Sequence, residues 1–248
     1  MANNLKLLGR LFEQFGLFKG IELFIRFLFG YTNEIKLPGI KYPFSLRHKT
    51  SDISVFYDIF LKKEYDIKFP NNPNFVIDGG ANIGLFTVLI KNKYPDAKII
   101  CIEPDPDNFY LLQKNVSSYT DVFCENCGIW NKDTKLKVYD KYNLGKWGII
   151  VEEDLINGKI PAISINRVLE KYSSDHIDII KLDIEASEKQ LFSDDFESWL
   201  SKVDIVVIEL HDRIQKGCSK AFFTAINKSF INYNFSMKGE NIIIENIK

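Results

Sequence analysis

A chain of 248 residues, 46% hydrophobic and 26% charged, carries enough apolar side chain to bury one large core and enough charge to keep it solvated, which excludes a disordered chain. Its 32 basic and 33 acidic residues leave a net charge of −1, so no overall field gathers nucleic acid, and no nucleic-acid partner is expected. Cysteines 101, 124, 127 and 218 read as free thiols of a reducing compartment: Cys124-x-x-Cys127 lacks two further zinc ligands at matched spacing and falls at a strand exit, not a helix start.

Residues 5–29 carry Lys6, Arg10, Glu13, Lys19, Glu22 and Arg26 at intervals near three and four, a helical polar stripe opposite a broad Leu/Phe/Ile face. These charges interrupt every apolar run before it reaches the length of a membrane span or signal sequence, so a cytoplasmic location is expected. Gly16 and Gly20 are candidate breaks between two helices. The apolar face either packs on protein, the main domain or a second subunit of a homodimer, or rests on a membrane surface as a peripheral contact. Residues 34–47 read as a short hairpin about Pro38-Gly39, and Ser54 to Tyr65 as a helix with Ser51 or Asp52 as N-cap, a lid or support by position. Residues 1–50 thus form an extension and residues 51–248 one α/β domain.

From residue 74 onward, short β-type runs alternate with helical patterns, which predicts a parallel, doubly wound sheet. FVIDGGA is strand one, followed by a helix through Lys93; KIICIEPD is strand two, followed by a helix from Asp107 to Ser117; DVFCENCGI is strand three. KLKVYD and the segment around Trp147 predict an inserted strand pair, and VLEKY predicts a helix before DIIKLDIE, strand four; DIVVIELHD is strand five. After a helix over 219–228, NYNFSMKGENIIIENI reads as two antiparallel strands turning at Lys238-Gly239-Glu240 and closing one sheet edge.

Asp78-Gly79-Gly80-Ala81-Asn82-Ile83-Gly84 sits where the first strand hands over to a helix, so backbone N–H groups and a helix N-terminus face the ligand edge of the sheet. Against the dinucleotide fingerprint, Ala81 occupies the position where backbone must approach a pyrophosphate, which disfavours a nicotinamide or flavin cofactor. Glu103 ends strand two 25 residues after Asp78, where a carboxylate can accept both hydroxyls of a ribose. The ligand therefore contains a nucleoside.

VIDGGANIGLFTVL, IICIEPDPDNFYLLQKNV, DIIKLDIEASEKQLF and VVIELHDR, in this order and spacing, resemble the FkbM-type S-adenosylmethionine-dependent methyltransferases over residues 46–215. HKTSD and Lys216-Gly217-Cys218-Ser219 are similar to one branch of that family. The resemblance implies a Rossmann-like class I methyltransferase fold, a seven-stranded, mostly parallel sheet with an antiparallel C-terminal hairpin strand. It implies that Asp78, Gly79, Gly80, Asn82, Ile83 and Gly84 bind S-adenosylmethionine, that Glu103 with Pro104 holds the ribose, that Asn126 and Cys127 border the adenine, and that Asp183 reaches the cofactor. Gly79 departs from the family's usual aliphatic residue, and Ala186-Ser187 from its usual Gly-Ala.

Strands four and five end in Asp183-Ile184-Glu185 and Glu209-Leu210-His211, and period-two alternation points each polar pair to one side. His211, with an unperturbed pKa of about 6.5, is the expected general base, with Glu209 orienting it or Asp183 substituting for it. The same four residues could instead ligate a divalent cation, though no metal is assigned. Trp130, Tyr139, Tyr142 and Trp147 either stack on a sugar or pack, and Arg213 and Lys216 either meet a phosphate or are solvated. The expected activity is an O-methyltransferase acting on a carbohydrate or nucleotide-activated sugar, of the kind found in surface polysaccharides or natural products. An amine or phosphoramidate acceptor, a nicotinamide-type oxidoreductase, and a catalytically lapsed nucleotide-binding module are the alternatives.

Overall fold

The computed structural model describes residues 2–67, 69, 72–140, 149–185 and 187–247. Helix α1 (Ala2–Phe29) breaks at Gly16, whose φ of 76° and ψ of 172° lie outside the helical region. Gly20 is not a second break. A Cβ there would stand 2.5 Å from Phe12 Cδ1 and 3.0 Å from the Leu11 carbonyl carbon, so the two halves fold back and touch at this glycine. Leu11, Leu23 and Phe27 turn inward, whereas Leu17, Phe18, Ile21, Ile25 and Leu28 stay exposed. Among the described residues no helix is long and apolar enough to cross a membrane.

The hairpin expected about Pro38-Gly39 is reduced to one antiparallel bridge, Ile35 with Phe44, because Pro38 and Pro43 offer no N–H for a longer ladder. Helix α2 (Asp52–Phe56) follows and runs straight into a π-helical turn, Tyr57–Leu61. Neither expected N-cap operates through its side chain: Ser51 makes no cap bond, and the fully buried Asp52 carboxylate accepts instead from Arg47 N, Nε and a terminal guanidinium nitrogen.

The main sheet is built from β1 (Phe75–Gly79), β2 (Lys98–Ile102) and β3 (Val122–Glu125), with helices α3 (Leu85–Lys93) and α4 (Pro106–Val116) between them. The inserted segment holds β4 (Gly128–Trp130), β5 (Thr134–Asp140), β6 (Ile149–Glu153) and β7 (Ile160–Ser164). After it come α5 (Ile165–Lys171), β8 (Ile177–Leu182), α6 (Glu188–Leu191), α7 (Glu197–Leu200), β9 (Val203–Ile208), α8 (Cys218–Ser229), β10 (Asn232–Lys238) and β11 (Asn241–Ile247).

The seven-stranded order is β10-β11-β9-β8-β1-β2-β3, parallel from β3 to β9, with β11 antiparallel to β9. Strand order reverses at β1, and in open α/β sheets the crevice beyond such a point receives the ligand. Alternation divides the buried side chains between two faces. Val76, Ile99 and Ile179 join the cluster under α3, α4 and α1, and Ile77, Ile100 and Ile180 join the cluster under α5, α7 and α8. The N-terminal arm therefore shares a core with the sheet.

Where a strand pair was expected, the insertion forms its own four-stranded sheet, ordered β4-β7-β5-β6. β4 spans three residues and β7 contains Pro161, so neither carries a readable alternation. Tyr142 and Trp147 lie outside the described residues, as does the Tyr139 side chain.

One buried amide ties the arm to the sheet. Asn115 on α4 accepts from Ser45 N (2.8 Å) and donates to the carbonyls of Ser45 (3.0 Å) and Ile83 (2.9 Å). Asn115→Ala strands these three backbone groups without water, and urea unfolding should report a loss of about 3 kcal/mol. A change within experimental error would show that the arm does not depend on this amide.

Candidate active site

The loop after β1 is shaped by three left-handed residues. Gly80 has φ 68°, and a Cβ there would lie 1.8 Å from the Asp183 carbonyl oxygen, so only glycine passes between the exits of β1 and β8. Asn82, at φ 50°, turns its N–H onto Glu103 Oε2 at 2.7 Å. Gly84, at φ 84°, caps α3 and lets it approach Leu112 on α4. Gly79, where the resembled family has an aliphatic side chain, leaves a space that Ile129 fills: its Cδ1 would stand 2.5 Å from a Cβ.

Four of the loop's N–H groups are spent inside the protein. Those of Gly80 and Ala81 go to Ile102 O, that of Asn82 to Glu103, and that of Gly84 to Ala81 O. The loop is thus no cradle of free donors for a pyrophosphate, a stronger objection to a dinucleotide than the identity of residue 81.

Beneath the loop, Asp78 and Lys181 face each other directly in the β1–β8 register. Asp78 accepts from Thr87 Oγ1 (2.7 Å) and lies 3.5 Å from Lys181 Nζ, which donates to Gly80 O at 2.7 Å. Burial by itself would lower the Lys181 ammonium; Asp78, Tyr65, Asp183 and Glu103 around it more than offset this and hold it above the ordinary lysine range.

Two cavities meet at Gly80, Asn82 and Asp183. The first, about 340 Å³, is walled by Ile102, Pro104, Cys127 and Ile129, and by Leu136, Val151 and Ile160 of the inserted sheet. Glu103 also lines it, its two oxygens accepting from Asn82 N, Asp105 N (3.0 Å) and Asn108 Nδ2 (3.3 Å). Burial pushes this carboxyl above its usual range, with those hydrogen bonds pulling back. The second cavity, about 310 Å³, is lined by Asp58, Glu64, Asp183, Glu209 and Glu240 against Lys62 and Lys181. Both lysines are already paired, Lys62 with Asp58 (2.8 Å) and Glu64 (3.2 Å), so the chamber is acidic.

Behind that chamber His211 stands against two of its carboxylates. Its Nδ1 meets Glu188 Oε1 at 2.6 Å, and its Nε2 lies 3.4 Å from Glu209 Oε1 and 3.7 Å from Asp183 Oδ1. Burial pulls the imidazole down, but Glu188, Glu209 and Asp183 outweigh it and raise its pKa to about 10. Burial also raises the Asp183 carboxyl, with Lys181 acting in the opposite sense.

Of the expected catalytic residues, His211, the expected general base, is 4% exposed and lines neither cavity. The groups facing the chamber are Asp183 and Glu209. Glu185 does not join them: β8 ends at Leu182, alternation lapses, and at φ 42° Glu185 turns into the wall of the first cavity. Of the other expected cofactor residues, Gly80, Asn82, Glu103, Pro104 and Cys127 line that cavity. Ile83 is fully buried core, and Asp78, Gly79 and Gly84 act from beneath. Asn126 braces the turn from outside, its Nδ2 donating to Glu103 O (2.9 Å) and Pro104 O (3.3 Å).

Trp130 is packed with Leu136 and Ala162, which leaves it no open face for a sugar. Arg213 leans on Glu209 at 3.7 Å, and Lys216 is exposed. Ala186 lies outside the described residues. Sequence reasoning missed Lys181, whose signal was a lysine inside an apolar central strand. It also missed Asp58, Glu64 and Glu240, which belong to no motif and meet only through the fold.

Comparison with known proteins agrees with this architecture. Residues 78–237 match the family model of the methyltransferase FkbM domain. The chain is 27% identical to Methyltransferase 1 of Beauveria bassiana (strain ARSEF 2860) over 181 residues, 62% of this chain and 72% of that protein. It is 28% identical to Methyltransferase sdnD of Sordaria araneosa over 190 residues, 62% of this chain and 73% of that protein. Among solved structures, methyltransferase FkbM from Methylobacillus flagellatus KT shares the fold at a TM-score of 0.54 and 15% identity. That alignment covers 98% of this chain but 59% of the other. Since the family match runs from the end of β1 into the C-terminal hairpin and takes in most of both cavity linings, the chain belongs to the FkbM methyltransferase family.

Proposed function

We propose that this methyltransferase uses S-adenosylmethionine and methylates a hydroxyl oxygen of a small, carbohydrate-like acceptor. The observation that carries the reading is the junction of the two cavities at Gly80, Asn82 and Asp183, one apolar and ending on a buried carboxylate, the other acid-lined.

The residues present suit the donor. Glu103 matches the two hydroxyls of a ribose, Ile102, Cys127 and Ile129 offer apolar walls to a purine, and the absence of a pyrophosphate cradle matches a nucleoside without phosphates. The Asn82 side-chain oxygen, buried and without a hydrogen-bond partner among the described residues, is an acceptor waiting at the junction. When bound, S-adenosylmethionine supplies a methyl group activated by a sulfonium. The chain's own task is then to hold an acceptor oxygen against the junction and to take up its proton.

Asp183 and Glu209 are the proton-accepting edge by location. Asp58, Glu64 and Glu240 are acceptors for further hydroxyls, which is how carboxylates recognise a polyol. Among the described residues of this lining the cations, Lys62 and Lys181, are both paired, so the wall favours a neutral sugar over the phosphates of a nucleotide-activated one.

Calorimetry should detect S-adenosylmethionine and its demethylated product on the native chain and no NADH. Glu103→Ala should weaken the donor by about 30-fold, some 2 kcal/mol, as expected for hydrogen bonds to a charged group. No heat from either sulfur compound on folded protein would sink the assignment. With labelled donor and a panel of sugars and sugar nucleotides, Asp183→Asn should lower turnover about 100-fold or more at similar donor affinity. Tight donor binding with no label reaching any hydroxylated acceptor would count against the acceptor class.

A further inference from the structure

We propose that Asp183, Glu209 and His211 form a binding site for a divalent cation at the acceptor end of the cleft. The three ligand atoms come from the exits of two neighbouring strands, β8 and β9, and lie within 4.8 Å of one another. Two carboxylate oxygens with one imidazole nitrogen suit magnesium, manganese or a similar ion.

The spacing can accommodate one shared ion. Nε2 of His211 stands 3.4 Å from Glu209 Oε1 and 3.7 Å from Asp183 Oδ1, so one imidazole nitrogen faces both carboxylates. Ligands about 2.1 Å from a common ion lie roughly 3.0 Å apart at right angles and about 3.4 Å apart at the tetrahedral angle; the Glu209 separation meets the second value and the Asp183 separation is slightly longer.

The surroundings carry a second, independent mark. Glu188 is fully buried on α6 and holds Nδ1 of His211 at 2.6 Å, which leaves Nε2 directed at the two carboxylates. A carboxylate behind a histidine is the recurrent support of metal-binding imidazoles, setting both tautomer and ring orientation. Glu188 lies on a separate helix and lines neither cavity, so orienting this ring is the role its position gives it.

Access is also suitable. Asp183 and Glu209 open onto the 310 Å³ chamber while His211 closes the rear, so an ion here would keep its free coordination positions toward the acceptor. Such an ion would bind an acceptor hydroxyl directly and make its proton easier to lose. The site deepens the acceptor reading above, but its binding test needs neither donor nor acceptor.

The test is titration of the full native chain with Mn²⁺ followed by electron paramagnetic resonance. One Mn²⁺ per chain is expected, with nitrogen hyperfine coupling that disappears in His211→Ala. Asp183→Asn and Glu209→Gln should each weaken binding by at least about tenfold, and Glu188→Gln by a similar factor. Thermal melts check that each variant is folded, and Glu209→Gln, on a half-buried side chain, is the variant least exposed to misfolding. His176→Ala, in the His176–Asp178–Asp204 group at the opposite, N-terminal ends of β8 and β9, should leave binding unchanged. Two results would overturn the site: no Mn²⁺ bound at millimolar concentration by folded protein, or binding that follows His176 instead. Loss of donor binding with Mn²⁺ still bound would overturn the proposed function and leave the cation site standing.

Discussion

The ion pair between Asp78 and Lys181 is the constraint on which the cleft depends. Each would be an uncompensated charge inside a sheet buried on both faces, and removing one partner of such a pair is costly because the other stays behind. Their opposition in the β1–β8 register makes them a lock on strand pairing as well as on charge. Through Lys181 Nζ the pair also anchors Gly80 O, so the turn that separates the two cavities is hung from the middle of the sheet. Thr87, on α3, adds a third attachment and fixes the helix to the strand it follows.

Around this fixed centre, the walls come from additions to the sheet. The apolar cavity is closed by Leu136, Val151 and Ile160 of the inserted four-stranded sheet, and the acidic chamber by Asp58, Lys62, Glu64 and Tyr65 near the π-helical turn and by Glu240 of the hairpin. The hairpin and the segment after the π-helical turn touch, since a Cβ on Gly239 would stand 2.3 Å from Glu64 Cδ. The strand exits thus present Asp183 and Glu209, while the inserted sheet, the π-helical turn and the hairpin set what fits beside them. A π-helical turn beside the chamber is in keeping with the frequent use of such turns at functional sites.

Legibility in the sequence follows from how local each cause is. The glycine turn, Glu103 at the end of β2 and the five parallel strands were readable because burial on both faces writes long apolar runs, and left-handed turns call for glycine. Asp183, Glu209 and His211 could be grouped because they leave adjacent strands. Glu185 could not be separated from them, since alternation says nothing once a strand has ended at Leu182. Whether Asn126 or Cys127 faced the cavity turned on one peptide orientation beyond β3, and another member of the acid wall, Glu240, lies 57 residues after Asp183 in the chain. Such contacts are decided by packing, which no window of sequence contains.

The charge of the chamber bears on turnover in the proposed reaction. Among the described residues, five carboxylates against two paired lysines create a negative potential at the junction, and a low-dielectric wall keeps it from being screened as it would be in water. A sulfonium donor is a cation and its demethylated product is neutral, so the same wall favours the donor and releases the product more readily. That preference stabilises the reactant and would by itself slow the chemical step, because the positive charge is dispersing as the methyl leaves. The proton released by the acceptor answers this cost: it is generated beside Asp183 and Glu209, where negative charge helps an alcohol lose a proton to the wall and holds that proton afterward. A cation at the His211 site would moderate the same field and act on the acceptor oxygen directly, so the acidity of the chamber and the placement of His211 behind it are two parts of one electrostatic arrangement.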